Sequence, residues 1–152
     1  MTIPCASVQQ PGWLALREKL WPKSSRKEHL AEMAEQFAAP EKFASFVEYD
    51  ESNTPIAFME VSIRSDYVNG TDSSPVAYLE GIYVVPSARG RGVARTLISV
   101  AERWARLAGC SELASDAPLE NLASQAMHLA LGFEESERVV FFKKALHGTN
   151  RT

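Results

Sequence analysis

The first indication of the chemistry that this chain can do is a short segment rich in glycine and arginine. It runs Arg89-Gly90-Arg91-Gly92-Val93-Ala94 and stands at the start of a long stretch with helical spacing of apolar residues. A helix start of this kind presents backbone N–H groups without partners and the positive end of a dipole, which suits a pyrophosphate. The glycines let phosphate oxygens approach the backbone, and the arginines add positive charge. Taken alone, the segment is equally compatible with a glycine-rich helix start flanked by solvated arginines.

Two common phosphate-binding motifs are excluded at this segment. A GxGxxG series starting at Gly90 requires glycine at position 95, which is Arg95. No Gly-Lys-Ser/Thr triplet follows, as a P-loop requires. The segment therefore contains neither a Rossmann nor a Walker site.

Two acidic residues stand where a ligand can use a carboxylate. Glu80 lies within an apolar strand, where a carboxylate without a partner is unfavourable, so a ligand amine or an ordered water is one counterpart. The alternative is a buried structural acid with hydrogen bonds inside the protein. Asp116 follows a strand and precedes Pro118, where it serves either a cationic ligand or the start of a helix.

These residues need a scaffold, and hydrophobic periodicity predicts one that begins with helices and continues with strands. The predicted elements, in chain order, are a strand at 3–6, helices at 13–20 and 27–39, a hairpin of strands at 44–49 and 56–63, a loop at 65–75, a strand at 76–85, a helix at 92–108, a strand at 111–115, a helix at 122–131 and a strand at 137–144. Strands and helices alternate through the second half, which predicts an α/β (α+β-like) fold.

The strongest strand prediction is the run from Val76 to Val85, closed by Pro86. Its apolar character indicates a central strand covered on both faces. Gly81 interrupts the run, and a glycine inside a strand often marks a bulge or a close approach to the backbone.

Size and composition narrow the function classes. The 152 residues suffice for one hydrophobic core, and we expect a single domain at 1–146 with a disordered tail at 147–152. The net charge is −3 and the basic residues are scattered, which argues against nucleic acid as a partner. The apolar stretches are shorter than the roughly 20 residues that span a membrane, so no membrane segment is expected.

Cys5 and Cys110 form no ligand pair, so no metal is expected, and no export signal is visible. The expectation is a cytoplasmic protein with free thiols.

The glycine-rich segment also carries a family signature. Arg89, Gly92 and Ala94 match the pattern Q/R-x-x-G-x-G/A between a strand and a long helix, and in this the chain resembles the GNAT acetyltransferase superfamily. The resemblance covers nearly the whole chain and implies a mixed central sheet, two N-terminal helices and a cofactor-binding strand, turn and helix. More narrowly, the chain resembles the aminoglycoside 6′-N-acetyltransferases. The segments that carry this narrower resemblance are Leu20–Pro22, Ser62–Gly70, Leu79–Val84, Ala114–Asp116 and Leu131–Glu135.

That resemblance implies acetyl-CoA as co-substrate and assigns residues to two sites. The implied cofactor-binding residues are Ile82, Tyr83, Val84, Arg89, Gly90, Arg91, Gly92, Val93, Ala94, Arg95 and Asn121, the last of which is also a candidate helix N-cap. The implied substrate-binding residues are Trp21, Tyr67, Glu80, Asp116 and Glu137. Core packing is the alternative for Trp21, and an exposed loop position is the alternative for Tyr67. A homodimer is expected from the family.

The implied activity is direct transfer of an acetyl group from acetyl-CoA to the 6′-amine of an aminoglycoside in a ternary complex, which confers antibiotic resistance. Glu80 or Asp116 would accept the proton of the substrate ammonium, directly or through water. Backbone N–H groups near Gly81 to Val84 would stabilise the oxyanion. His128 stands where the superfamily usually has a tyrosine acid, and it is either the acid for the departing thiolate or a packed histidine on a helix face.

Two other functions stay open at this stage. A carboxylate-lined site on the same fold suits another polyamine, an amino sugar or a protein amine nearly as well. The third possibility is a coenzyme A-binding sensor that has lost catalysis.

Overall fold

The structure is a computed structural model, and it describes residues 1–148. The predicted tail at 147–152 therefore lies mostly outside the described residues. The elements, in chain order, are β1 (Thr2–Pro4), α1 (Trp13–Leu20), α2 (Arg26–Ala38), β2 (Phe43–Tyr49), β3 (Pro55–Arg64), β4 (Val76–Val84), α3 (Val93–Leu107), β5 (Leu113–Ala114) and α4 (Leu122–Ala130).

The five strands form one mixed sheet in the order β1-β2-β3-β4-β5. The first four are antiparallel neighbours, and β5 pairs with β4 in parallel. Only two residue pairs join β4 to β5, and the last is Tyr78 with Ala114. Beyond that pair the two strands no longer bond to each other, which leaves a gap beside the second half of β4. The mixed sheet and the α/β (α+β-like) class are confirmed.

A bulge interrupts β4 at Glu80. Leu79 pairs with Val61 and Gly81 pairs with Glu60, so Glu80 is the extra residue on this strand. Gly81 also allows a close approach, because a Cβ atom placed there would lie 2.5 Å from Cζ2 of Trp21. Both properties predicted for the glycine are present.

The bulge changes the direction in which the backbone groups of β4 point. Before it, the Ala77 N–H donates to the Glu112 carbonyl, on the side of β5 (3.1 Å). After it, the Val85 N–H donates to the Ile56 carbonyl, on the side of β3 (2.9 Å). Because hydrogen-bonded and non-bonded pairs alternate in an antiparallel ladder, Ile82 and Val84 direct their backbone groups away from β3 and into the gap.

Apolar side chains cover both faces of the sheet. On one face, α3 contributes the buried stripe that its spacing predicted, Leu97, Ile98, Ala101 and Ala105. On the other face, α1 and α2 contribute Trp13, Leu16 and Met33, which pack with Val47 and Phe58 of the sheet. The start of α2 is fixed by a capping box in which Ser25 and Glu28 bond each other's backbone N–H groups.

The strand predicted at 137–144 is wrong. Residues 133–148 contain no helix or strand, and Phe141 and Phe142 are 87% and 91% exposed. A strand needs a neighbouring edge to bond with, and β5 offers only two residues. The apolar side chains of this run are therefore exposed and do not pack against another element among the described residues.

Candidate active site

A buried ion pair anchors the N-terminal side of the site. Arg17 of α1 is 1% exposed and Glu60 of β3 is 5% exposed. One guanidinium nitrogen of Arg17 donates to both carboxylate oxygens, with 2.5 Å to Oε1. Trp13 Nε1 and Gln36 Nε2 also donate to this carboxylate, each at 2.9 Å. Sequence analysis missed both members of the pair, although Glu60 stands in an apolar strand in the same way as Glu80.

The same arginine positions Trp21. Arg17 Nε donates to His29 Nδ1 (3.2 Å), and His29 Nε2 therefore carries the hydrogen that it donates to the Trp21 carbonyl (3.1 Å). The guanidinium carbon lies 4.8 Å from the centre of the Trp21 ring, and Phe58 packs edge-on against that ring at 5.9 Å. Trp21 is thus fixed by contacts with His29, Arg17 and Phe58, and its ring packs against Gly81.

An open cavity of about 340 Å³ lies beside Trp21. Four carboxylates and one guanidinium line it together with this ring: Glu32, Glu35, Glu60, Glu80 and Arg17. The cavity therefore has a negative balance and an aromatic wall, which is what a cation with an extended carbon framework requires. Of the predicted substrate residues, Trp21 and Glu80 meet here, and Tyr67, Asp116 and Glu137 do not line this cavity.

Glu80 has the hydrogen bonds inside the protein that the structural alternative predicts, but it is not buried as that alternative requires. The bulge turns its side chain outward, and 32% of that side chain is exposed. Arg64 Nη2 donates to both carboxylate oxygens (2.9 and 3.0 Å), and the buried Ser62 hydroxyl donates to Oε1 (2.6 Å). A ligand amine is therefore not needed to satisfy Glu80, and it would bind to a carboxylate that already has a cation beside it.

Asp116 lies exposed after β5 and accepts a hydrogen bond from the Tyr78 hydroxyl. Burial, together with the hydrogen bond and the charge of Asp116, raises the pKa of Tyr78 well above its ordinary value, so the phenol stays a donor. The Arg64 guanidinium carbon lies 3.5 Å from the centre of the Tyr78 ring. This stack of Arg64 on Tyr78 links the two predicted catalytic carboxylates, Glu80 and Asp116.

Tyr67 and Glu137 are both on the surface. Tyr67 is 77% exposed in the loop between β3 and β4, and Glu137 is exposed in the final segment. The two segments touch, because a Cβ atom on Gly70 would lie 2.1 Å from the Ser136 hydroxyl. The predicted residues therefore belong to two neighbouring surface segments.

His128 is half-buried on α4 and both of its ring nitrogens have partners. Nδ1 lies 2.7 Å from the Ser124 carbonyl, and Nε2 lies 2.8 Å from the Ser115 hydroxyl. Phe133 packs edge-on against the ring at 5.2 Å. A carbonyl only accepts, so Nδ1 carries a hydrogen, and Nε2 faces the hydroxyl.

The glycine-rich turn before α3 leaves its backbone open. Gly90 and Gly92 have φ of +76° and +79°, a left-handed conformation that favours glycine, and no atom lies within 4 Å of a Cβ added at either position. The first intrahelical bond runs from the Thr96 N–H to the Gly92 carbonyl. The N–H groups of Val93, Ala94 and Arg95 precede it and have no partner within the helix, so they suit an anionic ligand.

The arginines of this region differ in their contacts. Arg89 Nε donates to the Val84 carbonyl in the gap (2.9 Å), and its guanidinium carbon lies 5.6 Å from the centre of the Tyr83 ring. Arg95 reaches across to the Ala130 carbonyl at the end of α4 (3.0 Å). Arg91 is exposed.

Two other predicted cofactor residues have structural duties. Asn121 caps α4, because its side chain accepts from the Ser124 N–H (3.0 Å). Tyr83 directs its backbone toward β3, since it pairs with Phe58 in the bonded half of the ladder. Ile82 and Val84 are the residues of β4 that present N–H groups to the gap.

Neither cysteine has the character of a nucleophile. Burial, reinforced by the charge of Glu60, raises the pKa of Cys5 to about 12. Burial also raises the pKa of Cys110. Within residues 1–148 no cluster of three or more His, Cys, Asp or Glu side chains is placed to hold a metal ion, and no helix in that range has the length and apolar character to cross a membrane.

Comparison with known proteins decides the family. The profile of the acetyltransferase (GNAT) family matches residues 12–133. The chain belongs to the GNAT acetyltransferase family.

Similar proteins place the enzyme within one branch of that family. It is 50% identical over 146 residues to aminoglycoside N(6′)-acetyltransferase type 1 of Serratia marcescens, covering 96% of this chain and 99% of the relative. It is 48% identical to the protein of the same name from Acinetobacter haemolyticus, covering 94% of this chain and 97% of that relative.

Solved structures agree with the sequence comparison. Apo AAC(6′)-IG of Acinetobacter haemolyticus superimposes with a TM-score of 0.90 at 46% identity, covering 97% of this chain and 99% of that one. AAC(6′)-Iy in complex with the bisubstrate analog CoA-S-monomethyl-acetylneamine gives a TM-score of 0.86 at 45% identity, covering 96% of this chain and 99% of that one.

The acyl donor of the enzyme is acetyl-CoA, as in the family, and the geometry fits this substrate. The open glycine turn and the free N–H groups of α3 suit a pyrophosphate, while the gap beside β4 offers N–H groups to an extended chain.

Proposed function

We propose that this enzyme acetylates the 6′-amine of aminoglycoside antibiotics and thereby confers resistance to them. The single observation that carries the proposal is the acid-lined cavity beside Trp21, which meets the donor side at the bulge of β4. Aminoglycosides are sugars with several ammonium groups, so they match both the charge and the aromatic wall of this cavity. The relatives that share about half of the sequence bear the corresponding name.

Acceptor binding is assigned to side chains on both sides of the bulge. Glu80 binds an ammonium group of the acceptor with Oε2, which has one protein donor, whereas Oε1 has Ser62 and Arg64. Trp21 covers a sugar ring. Tyr67 and Glu137 extend the site along the surface.

Asp116 or Glu80 takes the proton from the reacting ammonium, directly or through water. Asp116 has only the neutral Tyr78 hydroxyl as a partner among the described residues, whereas taking a proton would deprive Glu80 of its ion pair with Arg64. We therefore favour Asp116 as the proton acceptor and Glu80 as the residue that holds the acceptor.

The donor is held by backbone groups. Ile82 and Val84 bind the pantetheine arm and the thioester carbonyl, and one of their N–H groups stabilises the developing negative charge on oxygen. The turn at 89–94 binds the pyrophosphate, with Asn121 further along. His128 supplies the proton that the departing thiolate needs.

The decisive experiment compares aminoglycosides that bear a 6′-amine with analogues that bear a 6′-hydroxyl. We expect thiol release from acetyl-CoA with the first group and none above background with the second. Equal rates on both groups would refute the regiochemistry. Thiol release only with linear polyamines or a protein amine would favour a different acceptor, and binding of coenzyme A without any release would indicate the sensor.

A matched pair of variants tests the assignment of the two carboxylates. Asp116→Asn should lower kcat by roughly 10²-fold or more, the range expected for loss of a general base. Glu80→Gln should mainly raise the KM of the aminoglycoside. The reverse pattern would exchange the two roles.

We further propose a cytoplasmic homodimer. Free thiols at Cys5 and Cys110 suit a reducing compartment, which also supplies acetyl-CoA. The exposed apolar residues of the final segment, among them Val140, Phe141 and Phe142, suit contact with a second copy of the chain. Sedimentation should give twice the monomer mass, and Phe141→Ser with Phe142→Ser should reduce it to the monomer. An unchanged mass in that double variant would move the interface elsewhere.

A further inference from the structure

The hydroxyl of Ser115 stands between His128 and the gap in the sheet. Its oxygen lies 2.8 Å from His128 Nε2 and 3.4 Å from the Leu79 carbonyl. Ser115 is the first residue after β5, directly beyond the last pair that joins β5 to β4. It therefore sits where the gap opens, on the wall opposite the N–H groups of Ile82 and Val84.

Both ring nitrogens of His128 have partners inside the protein. Its Nδ1 hydrogen is held by the Ser124 carbonyl, one turn back on the same helix. Its Nε2 faces the Ser115 hydroxyl, and Phe133 packs edge-on against the ring. The Ser115 hydroxyl is therefore the group that a proton leaving Nε2 reaches first.

We propose that Ser115 is the catalytic residue that protonates the departing thiolate, and that His128 acts through it as a positioning and relay residue. This inference rests on one part of the proposed function, the release of the coenzyme A thiol from acetyl-CoA. It does not depend on which amine accepts the acetyl group, since the thiol is released with every amine. In this proposal the proton reaches sulfur from the Ser115 hydroxyl and not directly from the His128 ring.

The step balances without a further reactant. The bond between the acetyl carbon and sulfur breaks, and its electron pair stays on sulfur. The Ser115 O–H bond gives its proton to sulfur, while the protonated His128 gives its Nε2 proton to the Ser115 oxygen. An imidazolium thereby becomes a neutral imidazole that still donates through Nδ1 to Ser124. It regains a proton, through water, from the protons that the acceptor nitrogen loses as it becomes an amide. The contact of 2.8 Å suits both states, because serine can accept from the imidazolium or donate to the imidazole.

Three single variants test the relay with any amine that the wild-type enzyme acetylates. We expect Ser115→Ala to lower kcat by about ten- to a hundredfold while both KM values stay within about twofold, the pattern of a group that acts only in the transition state. Ser115→Thr keeps a hydroxyl and should keep most of the activity. Ser52→Ala, in the exposed hairpin turn, is the matched serine control and should be unchanged.

A double variant separates a relay from two independent effects. Ser115→Ala combined with His128→Gln should lose no more than the worse single variant, because residues that act as one unit are not additive. Losses that multiply, a Thr variant as slow as the Ala variant, or a Ser115→Ala variant with wild-type kcat would each overturn the proposal. Titration with coenzyme A should give the same Kd for wild type and Ser115→Ala, and a large increase would show a binding role instead.

The outcome is separable from that of the proposed acceptor. If the wild type acetylates another amine but no aminoglycoside, the acceptor is wrong and the relay is tested on that amine. A wild type that binds coenzyme A but releases no thiol with any amine would overturn both.

Discussion

The buried ion pair under Trp21 and the glycine-rich turn before α3 both contain arginine, but the bonds of these arginines differ. Arg17 is almost fully buried and bonds to Glu60, Glu32 and His29. Arg91 is exposed, and the backbone beside it is open. Among the described residues, no buried side-chain nitrogen or oxygen is without a partner. In the first region the charged groups bond to one another within the protein, whereas in the second the polar groups are available to a ligand.

The comparison teaches that stability and donor binding reside in separate parts of the chain. Removal of a charge from the first region should lower the free energy of unfolding, and a change in the second should weaken the binding of coenzyme A.

The largest effect is expected from Arg17→Leu. It leaves Glu60 buried without its counter-ion and should lower the free energy of unfolding by about 3–5 kcal/mol in urea titrations. Arg106→Leu is the control, because its pair with Glu102 is exposed and should contribute less than about 1 kcal/mol. The folded Arg17→Leu protein should bind coenzyme A as the wild type does. A loss as small as that of the control would contradict the role of the pair.

A smaller effect is expected from Gly92→Ala, and Gly109→Ala is its matched control. Both glycines have positive φ, +79° and +86°, at the two ends of α3, and neither has an atom within 4 Å of an added Cβ. Each variant should lose about 1–2 kcal/mol of stability from left-handed strain. Only Gly92→Ala should weaken the binding of coenzyme A in calorimetry, because its methyl group would occupy the open space in which we propose that the pyrophosphate binds. Equal affinities for the two variants would place the phosphates elsewhere.

The caps of α4 and α2 offer the next comparison. Asn121→Ala and Ser25→Ala each remove a side chain that accepts from a helix N–H, and each should cost about 1 kcal/mol of stability. Only Asn121→Ala should also raise the Kd of coenzyme A. If the two variants bind it equally well, Asn121 is a cap and nothing more.

The effect that is absent at neutral pH and develops only in alkaline solution concerns the Cys5 thiol, whose pKa is raised from 9.0 to about 12. The unfolded chain ionises this thiol at lower pH than the folded protein does, so its contribution to stability is complete below pH 9 and is lost between pH 9 and 12. The difference in unfolding free energy between wild type and Cys5→Ala should therefore decline above pH 9. A difference that stays constant up to pH 11 would argue against the raised pKa.

Periodicity in the sequence was sufficient to predict most elements. The stripe of α3, the hairpin of β2 and β3, and the glycine in β4 all follow from local spacing, because each depends on neighbours within a few residues. The turn at 89–94 was also predictable, since a glycine-rich helix start is a local property.

Contacts between remote segments were not predictable in the same way. The partner of Glu60 is 43 residues away and the hydroxyl that faces His128 is 13 residues away, so spacing indicates neither. An acid inside an apolar strand needs a partner within the protein, and this describes the buried Glu60 better than Glu80, because the bulge turns Glu80 outward. The strand expected at 137–144 failed for a related reason, since a strand exists only where another edge meets it.

The bulge at Glu80 also has a consequence for how this enzyme can change over time. One extra residue sets which residues of β4 face the gap, so a deletion or insertion nearby would turn Ile82 and Val84 away from it. Such a change would abolish the donor binding that we propose for these two residues. Side chains around the acid-lined cavity are under no such constraint, because their backbone is fixed by the rest of the sheet. Variation in the range of acceptors can therefore accumulate by substitution, while the length of this strand stays fixed.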